Sequence, residues 1–334
     1  MRITRLFFLS VLLFVITTAA MTAIAVSTPP PKGDTYEHAV KYWTFERIKN
    51  AMTRDFFYNQ STSLFDRSSR KPSSAVSLGL PWTKGGEVAE ATGKVFFTMG
   101  SSDYVCSGSV VTDTRASRSL VLTAAHCAYD ETNLRFARNW IFVPAYSDSP
   151  APFDANGEFC ASTKYGCWHA SALVVSQTYA SAGGFNTTAA IHDYAFAVLG
   201  NGGKELDTVD NVVGSQDAAY SAYSSPADAW LFGYPAARQF KGSTLTYCRG
   251  ELGFDGYSED STYRVACKMT GGSSGGPWLS PFASSGDFTG TGIVFSLNSY
   301  GYVGVAAMYG PKLNAETEAM AVVAATANEN TLVS

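Results

Sequence analysis

The stretch TGGSSGGPW, residues 270 to 278, sets two serines between two pairs of glycines. Glycine at that density costs conformational entropy on folding, so a chain keeps it where backbone must approach something closely or take φ values that a side chain forbids. A tight turn feeding the apolar WL would account for it equally well. A serine hydroxyl becomes a nucleophile only beside a base, and the base in turn needs a group to orient it. His126 closes the strand-like SLVLTAAHC, where Leu120, Leu122, Ala124 and Ala125 pack and the imidazole emerges at the strand's end. Asp193 opens DYAFAVL, an alternating strand whose first residue sits at a rim. Either residue alone reads as an ordinary polar end group. Together, in the chain order His, Asp, Ser, they supply base, orienting carboxylate and nucleophile for attack on a carbonyl carbon.

Positioning three such residues requires a rigid frame, and the pattern predicts one made of strands. From about Gly79 onward, short apolar or alternating runs stand between turn signals, among them GKVFFTM, YVCSGSVVT, SLVLTAA, WIFVPAY, DYAFAVL, AWLFGYP, TYRVACK and TGIVFSLN. Helical period is nearly absent until Leu313 to Ala327, where a terminal helix is expected. Strands without crossover helices predict an all-β fold of antiparallel barrels or a sandwich. Upstream, Val40, Trp43, Ile48, Met52 and Phe56 recur at near-helical spacing and predict one amphipathic helix within residues 36 to 58. A polar stretch from Ser61 to Ser77 follows, containing Arg70-Lys71 as a processing point.

Arg2 and Arg5 precede an apolar run from Leu6 to Ile16 and then small residues ending Ala23-Ile24-Ala25, the order of a secretory signal peptide over residues 1 to 25. The alternative is an uncleaved anchor, against which the core is short for a bilayer span. Residues 26 to 76 then read as a propeptide and linker, or as a helical segment packed permanently on the body. Charged residues are only 16% of the 334, and a net charge of −4 without a basic cluster excludes a nucleic-acid footprint and a polybasic membrane surface. Six cysteines, Cys106, Cys127, Cys160, Cys167, Cys248 and Cys267, fit an exported chain and allow 15 pairings. No paired Cys-x-x-Cys spacing suggests structural zinc.

TAAHC at 123 to 127, DYAFAVL at 193 to 199 and GGSSGGP at 271 to 277 resemble the signatures of the chymotrypsin-like serine peptidases, over roughly residues 85 to 310. GYP at 233 to 235 and the absence of an acidic residue before the nucleophile are closer to secreted microbial and glutamyl-endopeptidase-like members than to digestive trypsins. The resemblance implies two antiparallel six-stranded β-barrels and a C-terminal helix, the first barrel over residues 77 to 204 and the second over 205 to 334. It implies Ser274 as nucleophile, His126 as general base and acid, Asp193 as its orienting partner, and the N–H groups of Gly272 and Ser274 as the oxyanion hole. Ser273 is then a bystander, and activity should rise from mildly acidic to neutral pH as His126 loses its proton. The resemblance favours sequential disulfides: Cys106 with Cys127, Cys160 with Cys167 across a short insertion, and Cys248 with Cys267.

The implied activity is that of a secreted serine endopeptidase acting through an acyl-enzyme on protein or peptide substrates. It needs no cofactor or metal, has no membrane association after signal cleavage, and is expected to be a monomer. An exported binding protein with a dead site on the same fold is the alternative. Digestive trypsins pair a new N-terminus with an Asp where this chain has Ser273, so a propeptide here is expected to cover the cleft or assist folding instead. Lys268, six residues before Ser274, gives no support for an Arg or Lys preference; Lys268, Ser296 and Asn298 are the candidate substrate-binding residues. Asn59 and Asn186 lie in glycosylation sequons, and His192, His169 and His38 carry no functional signal.

Overall fold

The computed structural model describes residues 24–29, 34–67, 79–113, 117–148, 158–221, 223, 228–236, 242–269, 271–287 and 289–334. The expected signal peptide through residue 23 and the expected processing point at Arg70-Lys71 lie outside them. Six antiparallel strands close on themselves: Thr92–Met99, Ser102–Val111, Ser119–Thr123, Ala195–Leu199, Trp168–Ser176 and Arg138–Pro144, the last returning to the first. Closure leaves no free edge within the ring. All eight residues of Thr92–Met99 are buried. Its inward side chains meet the barrel core, while Phe96 is covered by Trp43 and Phe159.

The second half is built of two sheets linked by an antiparallel bridge between Tyr300 and Tyr309 rather than by a continuous ladder. A six-stranded sheet, ordered Asp217–Ala218, Gly292–Leu297, Pro277–Phe282, Asp228–Gly233, Thr246–Glu251 and Leu80–Pro81, faces a three-stranded one of Gly253–Phe254, Thr262–Val265 and Met308–Pro311. Among the described residues no ladder joins the two sheets. Pro311 has no N–H to extend the pairing, and the gap beside it is spanned by the Ser296 hydroxyl donating to the Pro311 carbonyl at 2.7 Å. A shared core of Leu231, Tyr263, Val265, Trp278, Phe295 and Met308 holds the sheets together. The three disulfides pair in sequence order, and Cys248–Cys267 ties Thr246–Glu251 to the chain after Thr262–Val265.

The C-terminal helix is Ala315–Ala324, shorter than the apolar run suggested. Asn314 and Thr317 exchange side-chain and backbone bonds at its start, which fixes where it begins. His192 is half-buried, with its ring against Glu316 of this helix at 3.0 Å. Beyond the helix, Asn330–Val333 joins the barrel beside Trp168–Ser176, and Ala25–Thr28 adds antiparallel to its other side.

The upstream segment is not one helix. Tyr36–Tyr42 and Phe45–Asn50 are separate short helices, each capped by a threonine side chain, Thr35 and Thr44. Met52–Thr53, Phe56–Asn59 and Leu64–Arg67 are strands. Thr44 accepts the Arg47 N–H and restarts the helix, and the aromatic run Phe56-Phe57-Tyr58 then favours extended backbone. Trp43 is buried and donates from Nε1 to the Asn139 carbonyl at 2.6 Å; Asp34 accepts the Asn139 N–H and faces His169 Nε2. This segment therefore packs on the closed barrel through its own buried side chains.

One buried cation gives the barrel a pH signature. Lys94 sits among Phe96 and Tyr146 with its ammonium on the Gly242 carbonyl, and burial lowers its pKa to about 7. Between pH 7 and the ordinary lysine range the unfolded chain binds the extra proton, so this residue's penalty grows as pH falls through that window and is complete near pH 7. The expected result is that Lys94→Met is more stable than the parent by a few kcal/mol at pH 7, on the order set by the size of the shift. The gap should shrink towards pH 10 in urea unfolding followed by tryptophan fluorescence.

Candidate active site

Strand Ser119–Thr123 runs into a 3-10 turn, Ala125–Cys127, that carries His126 out at the barrel's rim. The Cys106–Cys127 bridge anchors the far side of that turn. Asp193 lies two residues ahead of Ala195–Leu199, which pairs with Ser119–Thr123 and so brings the two together. One Asp193 oxygen accepts the backbone N–H of His126 at 2.9 Å; the other faces its Nδ1 at 2.7 Å and accepts the Ser299 hydroxyl at 2.5 Å. Both His126 and Asp193 are fully buried. A buried carboxylate is tolerated only where donors satisfy it, and here two from one histidine and one from Ser299 do so. Holding Nδ1 as the donor leaves Nε2 as the ring's basic nitrogen.

Ser274 is held from both halves of the molecule. Its carbonyl accepts the Ser107 N–H at 2.7 Å, and the Ser107 hydroxyl donates to the Gly272 carbonyl at 2.8 Å. From the other side, Asn298 donates its amide to the carbonyls of Phe232 and Ser273, at 2.7 and 3.1 Å, and accepts from Trp278 Nε1 at 2.8 Å. Backbone bonds of Asn298 with Gly275 and Gly276 complete the clamp. Gly272 takes φ +92°, and a Cβ there would lie 2.9 Å from the Tyr234 carbonyl, so only glycine lets the turn direct its N–H outward.

The sequence-derived substrate candidates are placed differently. Ser296 is buried with its hydroxyl on Pro311, and the Asn298 amide is consumed by the Phe232 and Ser273 carbonyls and the Trp278 indole, so neither side chain is presented to a ligand. Lys268 is buried. Asn186 and Asn59 both spend their side chains locally, Asn186 capping Thr187–Ile191 and Asn59 accepting the Ser61 N–H. His126 lies close to the sulfurs of Cys106 and Cys127. Those sulfurs are joined in a disulfide and offer no thiolate to a metal.

Several groups at this centre carried no signal in the sequence. Ser299, Ser107 and the structural role of Asn298 are seen only once the two halves meet. Residues 54 to 56 of the upstream segment also enter the site. The Asp55 carboxyl lies against the Gly271-Gly272 backbone, and burial raises its pKa above the ordinary carboxylate value against the pull of Thr53, His126, Gly272 and Ser274. His126 Nε2 has no hydrogen-bond partner among the described residues. Replacing Asn298 with Ala strands the Trp278 indole N–H and the Phe232 carbonyl, so a loss of about 2–4 kcal/mol in unfolding free energy is expected from urea titration.

Two solved structures share both sequence and fold with this chain. The protease Anisep from Arthrobacter nicotinovorans is 36% identical, with 71% of this chain and 96% of that one covered and a TM-score of 0.58. A thermostable serine protease, AL20, from an extremophilic microorganism is 35% identical, with 72% and 100% covered and a TM-score of 0.57. A Glu endopeptidase shares the fold at 16% identity, with 75% and 98% covered and a TM-score of 0.52. No protein-family model matches the chain, and no curated protein matches it.

Proposed function

Because the chain belongs to the chymotrypsin-like serine peptidases, we propose that it is an exported endopeptidase that cleaves peptide bonds through an acyl-enzyme on Ser274. The observation that carries this reading is the buried pair of His126 and Asp193, with Nδ1 held at 2.7 Å beside a nucleophile turn clamped by both halves. In this mechanism His126 Nε2 takes the proton as the Ser274 oxygen attacks the carbonyl carbon. The tetrahedral oxyanion is received by the N–H groups of Gly272 and Ser274, each such donor being worth roughly 2.7–4 kcal/mol. His126 then returns the proton to the leaving amine as the C–N bond breaks, and water repeats the sequence on the acyl ester. Asp193 stabilises the imidazolium and keeps the tautomer that exposes Nε2.

Export is supported by the three disulfides, which persist in oxidising compartments, and by the leader-like first 25 residues. Residues 26 to 76 act in this reading as a propeptide, supported by the way residues 34 to 67 pack on the barrel and enter the site.

A fluorophosphonate probe tests the assignment, since it reacts only with an activated hydroxyl beside oxyanion donors. Labelling should map to Ser274 by peptide mass spectrometry and vanish in Ser274→Ala. On a peptide substrate, Ser274→Ala or His126→Ala should lower kcat by about 10⁶-fold, and Asp193→Asn by about 10⁴-fold through the wrong tautomer. Label on another serine, or undiminished turnover in His126→Ala, would reject the assignment.

A further inference from the structure

We propose that the cleft is a binding site for the chain's own segment around Arg54-Asp55-Phe56, which acts as a tethered inhibitor by placing the Asp55 carboxyl where the oxyanion would form. This rests on the reading of Ser274 as nucleophile. The Asp55 carboxyl lies against the Gly271-Gly272 backbone, beside the N–H assigned above to the transition state, and Gly272, Ser274 and His126 all favour its charged form. With Asp55 seated beside Ser274, His126 Nε2 is left without a hydrogen-bond partner among the described residues. The nucleophile and its base are uncoupled by one side chain.

The neighbouring residues make this a built site. Gly271 leaves the room that Asp55 occupies: a Cβ on Gly271 would lie 1.6 Å from Asp55 Oδ2. Arg54 is buried and donates to the His126 carbonyl and to Glu131, both at 2.8 Å; Glu131 is itself buried and accepts the Tyr179 hydroxyl. Phe56 covers the imidazole edge-on at 5.4 Å and stacks on Phe185 at 3.9 Å. Downstream, Phe56–Asn59 pairs with Gly301–Tyr302, next to Ser299, the residue that caps Asp193. Tyr58 and Phe65 then pack against Tyr302 and Tyr300. The ligand this surface recognises is an extended peptide with a cation, a carboxylate and an aromatic ring in succession.

The test uses the full chain and the initial rate of fluorophosphonate labelling at Ser274, read on intact protein by mass spectrometry before processing. Asp55→Ala should label at least tenfold faster than the parent, and the triple variant Arg54→Ala, Asp55→Ala, Phe56→Ala faster still, each with the parent's near-ultraviolet circular dichroism. Asp55→Asn keeps the shape without the charge and should also exceed the parent, which covers the case in which the alanine variant fails to fold. Equal, rapid labelling of the parent and all variants would overturn the inhibitor while leaving the nucleophile in place. Absence of labelling in every folded form, the triple variant included, would instead overturn the nucleophile and the inference with it.

Discussion

The site depends on a carboxylate that never meets water. Asp193 is buried with its oxygens satisfied by the His126 backbone, the His126 ring and Ser299. An ionised group in such a place is held only by donors of this kind, and two of the three come from the residue it orients. Backbone and ring are thereby both tied to Asp193, and the imidazole cannot swing without breaking its Nδ1 bond. The closed barrel supplies the rigidity this needs, since Ser119–Thr123 and Ala195–Leu199 are paired through five residues before reaching the rim. The second half contributes through Ser299 and Asn298, which is why the centre exists only where the halves meet.

The upstream segment is bound by a different balance. Arg54 and Glu131 are both buried, and such a pair contributes little net stability because desolvation offsets the attraction. Removing one partner is another matter, since it strands the other charge. Among the described residues Glu131 keeps Tyr179 as its side-chain donor once Arg54 is gone, and the Tyr179 phenol is itself pushed well above its ordinary range by burial and by that carboxylate. The segment is therefore held less by what its docking gains than by what its departure exposes. Trp43 and Phe56 add apolar burial on the same surface.

How much of this was legible in the sequence depends on how local each signal is. His126, Asp193 and the glycine turn were readable because each sits at the end of a strand or inside a turn whose composition is unusual by itself. The disulfides followed from the family resemblance. The single helix expected over residues 36 to 58 failed because Val40, Trp43 and Ile48 repeat at helical spacing across a break at Thr44, and the spacing of Met52 and Phe56 belongs to strands. Ser296 and Asn298 stood as substrate candidates because a polar residue on a strand near the site does not announce whether it faces a ligand or, as here, other parts of the chain. Arg54-Asp55-Phe56 gave no warning: its meaning is created by residues distant in the chain, and no periodicity encodes that.

The pairing of Ala25–Thr28 with Asn330–Val333 gives chain scission an unusual outcome. A cut between residues 67 and 79 severs the backbone but none of the contacts described above, so both fragments stay associated as a nicked whole. Under the proposed tethered inhibition, the cleft is then freed by dissociation of the smaller fragment, a first-order step independent of whichever agent made the cut.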